Sequence, residues 1–217
     1  VQTMSSLDEI AKGKHDQQIG RFAEEAIKYG EEYGGFFINT MWEMNIEAKY
    51  RVWPWAGQPG PFKKAWQHIW QVFEDKGANQ YATWVIEYHV DHPLGYYYPG
   101  DKYVDWIGLS AYNRAVHRQY FGYRYLNELI SGPHKYFASR YKDKPIMLAE
   151  FGSTNGKDQP KWLIKAYDTI KSRWKIKAAN YWDSIYAELF RDDHTLSQES
   201  LNTLKEIFKD PYWIMAK

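Results

Sequence analysis

The sequence contains no cysteine. That excludes a disulfide framework and any metal site built on thiolates, and it removes the usual signal for redox compartment. Long apolar runs are also missing: none approaches the roughly 18 residues that a membrane span needs. No block of about five or six like charges occurs. The charge is nearly balanced, with 28 Lys and Arg against 27 Asp and Glu and a net of +1. Such a chain has no electrostatic pull toward nucleic acid or an anionic membrane, and a neutral partner suits it better. No glycine-rich phosphate loop follows a strand pattern, which leaves nucleotide binding without support. Ser110 and Ser153 lack the context of a nucleophile elbow. The start, Val1-Gln2-Thr3, is neither an initiator Met nor a leader pattern.

Aromatic residues are abundant. Phe, Trp and Tyr make up 18% of the 217 residues, with 11 Trp and 19 Tyr, in a chain whose mean hydropathy is −0.69. A Trp-rich core accounts for any single ring. The surplus implies that some rings line a surface. Sugars present flat C–H faces that stack on indole and phenol rings, while their hydroxyls seek polar neighbours.

Hydrophobic spacing predicts a helix from Ser6 to Tyr29, a buried strand from Phe36 to Trp42, and a helix from Phe62 to Asp75. Strands are predicted at Tyr81–Tyr88, Val104–Ala111, Pro145–Ala149 and Ala178–Trp182. Helices are predicted at Pro133–Tyr141, Gln159–Trp174 and Ser197–Phe208. Residues 114–132 carry no clear pattern. Strand–loop–helix units repeated in this way imply α/β architecture with a parallel sheet. No linker or low-complexity segment interrupts them, and residues 1–217 read as part of one domain.

Two carboxylates, Glu43 and Glu150, each follow directly on a predicted strand. In a parallel barrel the C-terminal strand ends form the active face. Cleaving a glycosidic bond requires two carboxyl groups there, one to protonate the leaving oxygen and one to attack the anomeric carbon. A single Glu at a strand end is more often an ion-pair partner or a cap. Two of them amid Trp-Pro-Trp, Tyr-Tyr-Tyr and Tyr-Asn loops point to chemistry. His15, His68, His117, His134 and His194 have no metal-ligand spacing and read as surface or capping residues. His89, Asp91 and His92 read as lining a cleft rather than as metal ligands.

Several segments in order, Trp42-Glu43-Met44-Asn45, Trp53-Pro54-Trp55-Ala56-Gly57, Tyr98-Pro99-Gly100-Asp101-Lys102-Tyr103 and Lys144-Pro145-Ile146-Met147-Leu148-Ala149-Glu150-Phe151-Gly152, resemble glycoside hydrolase family 26. The likeness extends to about Trp182. It implies a (β/α)8 TIM-barrel fold of which this chain lacks the first three strands. The chain would be the C-terminal portion of one catalytic barrel, completed by an N-terminal segment or a second chain. It implies a retaining endo-glycosidase with Glu43 as acid/base and Glu150 as nucleophile. The substrate would be β-1,4-mannan, with mixed-linkage β-glucan or xylan as alternatives and non-catalytic glycan binding as the competing class. Trp42, Asn45, Trp53, Trp55, His89, Tyr112 and Trp182 would border the sugar, and Tyr112 would contact the nucleophile. No metal or cofactor is implied. A polymeric substrate implies secretion. These roles call for a Glu43 that holds its proton and a Glu150 that ionises readily. Three segments depart from the family pattern: Trp42 replaces a usual His, Ile46 a usual Gly, and Ile86-Glu87-Tyr88-His89 a usual Trp-Ser-Pro-Asn.

Overall fold

The computed structural model describes residues 6–50, 53–114, 122–173, 175–186 and 192–214. The chain divides into two compact units, Val1–Gly108 and Leu109–Lys217.

The first unit opens with α1 (Leu7–Ala11) and α2 (Asp16–Tyr33). A single helix was expected here. It is interrupted at Gly13, which sits at φ +77°, where any Cβ would lie 2.9 Å from the Asp16 carboxylate. Ser6 caps α1 by accepting the Glu9 N–H at 3.2 Å. Then come β1 (Phe36–Ile38), α3 (Pro59–Lys76) and β2 (Ala82–His89). α3 starts on a proline, where the missing N–H has no cost. It ends at Gly77, whose left-handed backbone lets its N–H reach the Phe73 and Glu74 carbonyls. One face of α3 buries Phe62, Ala65, Trp66, Ile69, Trp70 and Phe73. Each of its large side chains contributes roughly 1.5–3 kcal/mol of burial. The buried indoles are satisfied: Trp66 donates to the Tyr103 carbonyl and Trp84 to Asn79, both at 2.9 Å. β1 and β2 pair in parallel, with Phe36 opposite Ala82 and Ile38 opposite Trp84.

β3 (Trp106–Asn113) carries the chain into the second unit, which holds α4 (Leu126–Arg140), β4 (Ile146–Ser153), α5 (Gln159–Ser172), β5 (Ile176–Tyr181) and α6 (Gln198–Ile207). A two-residue antiparallel pair, β6 (Ile185–Tyr186) with β7 (Asp192–Asp193), lies between β5 and α6. α4 was expected to begin at Pro133 but begins at Leu126. Glu128 reaches back to the Tyr125 N–H at 2.7 Å and sets that start. Pro133 then sits inside the helix and omits only its own N–H bond. Two buried polar side chains tie this unit together. Gln159 donates to the Ser153 and Thr195 carbonyls at 3.0 and 3.1 Å and accepts from Ser200 Oγ at 2.6 Å. Lys175, only 3% exposed, donates to the carbonyls of Tyr141, Lys142 and Lys144.

The strand order is β1-β2-β3-β4-β5. Consecutive strands are neighbours, and an α-helix falls in every connection except that from β2 to β3, which is a loop with a short 3-10 turn at Asp101–Tyr103; this is the connectivity of a segment of a parallel α/β barrel. β2 and β3 are buried along nearly their whole length, as strands covered on both faces must be.

Candidate functional site

In the first unit Glu43 sits on a strained turn. The strand expected to reach Trp42 stops at Ile38, because Met41 and Glu43 adopt left-handed backbone, φ 55° and 51°. Non-glycine residues seldom take that conformation, and such strain recurs at functional positions. The turn is tied down on each side. The Glu43 N–H donates to the Glu87 carbonyl at 3.1 Å, and the Ile46 N–H returns to the Glu43 carbonyl at 3.1 Å. The Met44 carbonyl takes the N–H of Gly57 at 3.0 Å. Only glycine fits at 57, where a Cβ would meet the Ala48 backbone N at 2.4 Å.

Three indoles gather at this turn. Trp53 and Trp55 stack at 5.8 Å and 8°, and Trp42 meets both edge-on at 5.4 and 5.0 Å. Trp53 Nε1 donates to Glu43 Oε2 at 3.1 Å. Trp55 is buried, and its Nε1 is committed to the Trp42 carbonyl at 2.7 Å. Trp42 and Trp53 are half-buried and keep ring surface outside the protein.

Asn45 is buried and works on backbone. Its Oδ1 accepts the His89 N–H at 2.8 Å, and its Nδ2 donates to the His89 and Pro93 carbonyls at 2.8 and 3.2 Å. The amide thus fixes the loop after β2. In that loop Asp91 N–H donates to His89 Nδ1 at 3.2 Å, which places the imidazole proton on Nε2. A third carboxylate, Glu87, is 2% exposed and accepts from Asn39 Nδ2. Among the described residues no cluster of His, Asp or Glu has the makings of a metal site.

In the second unit Glu150 lies within β4, not after it. β4 pairs with β5 in parallel, with Leu148 opposite Ala179 and Phe151 opposite Tyr181. Two residues of β4, Ala149 and Glu150, therefore share one position of β5. Such a bulge turns a side chain out of the regular alternation and is frequent beside active sites. Tyr112, on β3, donates its hydroxyl to Glu150. Burial pushes the Glu150 carboxyl above the usual carboxylate range, and the Tyr112 hydrogen bond opposes that shift. Removal from water outweighs the donor, a direction opposite to the one expected for a nucleophile. Trp182 is 36% exposed, and its N–H donates to the Phe151 carbonyl at 2.8 Å.

The histidines divide. His68 is a surface residue paired with Asp16 at 2.6 Å. His134 and His194 are buried, contrary to the expectation of surface or capping roles. His194 packs on Tyr112 at 5.0 Å between ring centroids. Nothing in the spacing of Asp193-His194-Thr195 signalled this. His117 lies outside the described residues.

This connectivity defines the chain as a parallel α/β protein of the partial-barrel class. No family model matches it. Solved glycoside hydrolase family 26 domains share its fold. A ruminal family 26 endo-β-1,4-mannanase superposes with a TM-score of 0.65 at 20% identity, covering 98% of this chain and 44% of that one. The catalytic domain of the Bacillus sp. JAMB-750 family 26 endo-β-1,4-mannanase gives 0.63 at 16% identity, over 92% and 58%. The family 26 domain of a Prevotella bryantii endo-β-mannanase/endo-β-glucanase gives 0.59 at 18%, over 90% and 55%. In sequence, endoglucanase H of Acetivibrio thermocellus is 28% identical over a 189-residue alignment that covers 80% of this chain and 20% of that protein. The fold is the family 26 fold, as the motifs implied. The chain spans about half the length of those solved domains and a fifth of the endoglucanase.

Proposed function

We propose that this chain carries the catalytic portion of a retaining endo-glycoside hydrolase acting on a β-linked polysaccharide, with β-1,4-mannan as the leading substrate. The observation that carries the reading is Glu150 set on a bulge of β4 and held by the Tyr112 hydroxyl. In the proposed reaction Glu150 attacks the anomeric carbon while Glu43 gives its proton to the leaving oxygen. Glu43 then takes a proton from water, which releases the sugar from Glu150. Trp53 Nε1 supports this exchange, because an N–H donor steadies Glu43 once it has become a carboxylate. Trp42, Trp53 and Trp182 offer the exposed ring surface on which sugars stack. Trp55, Asn45 and His89 support those rings and loops from below.

The sequence relationship to an endoglucanase keeps β-glucan as the second substrate, ahead of xylan. Trp42 in place of the usual His favours a second reading, a relative that holds glycan without cutting it. A polymeric substrate places the protein outside the cell; no helix among the described residues is long and apolar enough to cross a membrane. We assign the other strands of the barrel to a longer natural chain or a second chain. Phe37 on the terminal strand β1 is 51% exposed, and Tyr29 and Tyr33 nearby on α2 are 53% and 65% exposed. The test is reducing-sugar release from mannan, mixed-linkage β-glucan and xylan by the longest natural form and its Glu150→Gln variant. Release by the wild type alone supports hydrolysis; binding to glycan with no release from any of the three supports the second reading.

A further inference from the structure

His194 follows β7 directly, in a segment no motif singled out. Its backbone is fixed twice: its N–H donates to the Ser184 carbonyl at 3.0 Å, and its carbonyl accepts the Tyr181 hydroxyl at 3.1 Å. The residue is 3% exposed, yet among the described residues neither Nδ1 nor Nε2 has a hydrogen-bond partner. An imidazole stripped of water and left without partners is costly, and such exceptions in a folded protein call for an explanation. Hydrogen bonding is not what keeps it there.

Its contacts supply the explanation. The ring lies 5.0 Å from that of Tyr112, tilted by 54°. On another side it abuts Gly152: a Cβ there would stand 3.2 Å from His194 Nδ1 and 3.4 Å from Tyr112 Cδ1. The glycine two residues after Glu150 is therefore what lets β4, His194 and Tyr112 close together. Tyr112 passes any displacement on, since its hydroxyl donates to Glu150, and a hydrogen bond weakens steeply with small errors in distance and angle.

We propose that His194 is a positioning residue for Glu150: wedged against Gly152, its ring fixes the ring of Tyr112 and so keeps the Tyr112 hydroxyl on the carboxylate. The inference rests on Glu150 being the nucleophile. The charged groups acting on the imidazole are Arg114, whose guanidinium lies 5.7 Å from the Tyr112 ring, and Asp193. Burial and Arg114 favour the neutral ring and Asp193 opposes them. A neutral wedge steadies Tyr112 without adding a second cation beside the nucleophile, where it would damp the nucleophile's attack.

The test reads Glu150 directly. Glutamate side chains are labelled with ¹³C in the longest natural form, Glu150 is assigned by its loss in Glu150→Gln, and its titration is followed by NMR. Tyr112→Phe should move the midpoint upward by roughly half to one pH unit, since a donor to the ionised form is lost. His194→Ala should move it the same way, and His194→Phe, which restores a ring, should bring it back. In the Tyr112→Phe background His194→Ala should add nothing. An unmoved midpoint in folded His194→Ala, or an additive shift in the double variant, overturns the proposal. With glycan present, His194→Ala should lower kcat and leave KM within about twofold. Should the wild type cleave no glycan, the enzymatic reading fails while the titration still decides the role of His194.

Discussion

Lowering the pH should destabilise this protein through His194, by an amount the structure sets. The group has an ordinary value of 6.5 and is depressed to about 4 in the fold, first by burial and then by Arg114. Between those two values the unfolded chain binds a proton that the native protein refuses. Stability therefore rises with pH across this window and is lost as pH falls through it. At about 1.4 kcal/mol per pH unit, the loss by pH 4 is about 3 kcal/mol. That is a large share of a typical domain stability of roughly 5–15 kcal/mol. Glu150 works in the opposite direction, because its raised value makes the native state hold a proton more tightly. The informative quantity is consequently a difference between proteins. Urea unfolding of the wild type and of His194→Phe, each at pH 7 and pH 4, cancels the constant packing change. The wild type should lose about 3 kcal/mol more than the variant on acidification. Equal losses in the two proteins would refute the reasoning and mean that His194 is hydrated or partnered in solution.

Other substitutions probe the remaining joints. Gly152→Ala should lower kcat about tenfold with little change in KM, because the new Cβ meets His194 and Tyr112 at 3.2 and 3.4 Å; steady-state kinetics on the best glycan decide it. Trp53→Phe keeps the stacked ring and removes the donor to Glu43, and kcat/KM should fall about tenfold, the equivalent of one hydrogen bond to a charged group. Asn45→Ala removes the amide that accepts the buried His89 N–H and donates to the His89 and Pro93 carbonyls, and urea unfolding should report a loss of about 2–3 kcal/mol. Lys175→Met removes the buried ammonium from the Tyr141, Lys142 and Lys144 carbonyls just after α4 and should cost about 3 kcal/mol by the same measurement while leaving kcat unchanged.

The strand–helix alternation was legible because each repeat carries a plain period. The α3 stripe from Phe62 to Phe73 and the short apolar run Trp84-Val85-Ile86 of β2 could be read as helix and strand directly. Boundaries were missed where local chemistry overrode period. Gly13 breaks the first helix, Glu128 starts α4 well before Pro133, and left-handed backbone at Met41 and Glu43 ends β1 early. The bulge at Glu150 comes from pairing with β5, which no window of sequence around β4 contains. The candidate residues themselves were visible through motif resemblance, but their division of labour was not. Trp55 and Asn45 look like sugar contacts in sequence, whereas their polar atoms are committed to the Trp42 carbonyl and to the His89 and Pro93 backbone. His194 was hidden because its partners, Tyr112 and Gly152, lie far from it in sequence.

The central claim is that Glu150 becomes covalently bonded to sugar. The direct measurement is intact-protein mass spectrometry, followed by peptide mapping, after incubating the longest natural form with activated 2-deoxy-2-fluoro glycosides of the manno and gluco series. The account predicts one glycosyl adduct per molecule, located on Glu150 in the peptide containing Ala149-Glu150-Phe151, and its disappearance in Glu150→Gln. Turnover of polysaccharide with no adduct, or an adduct on another residue, would contradict it.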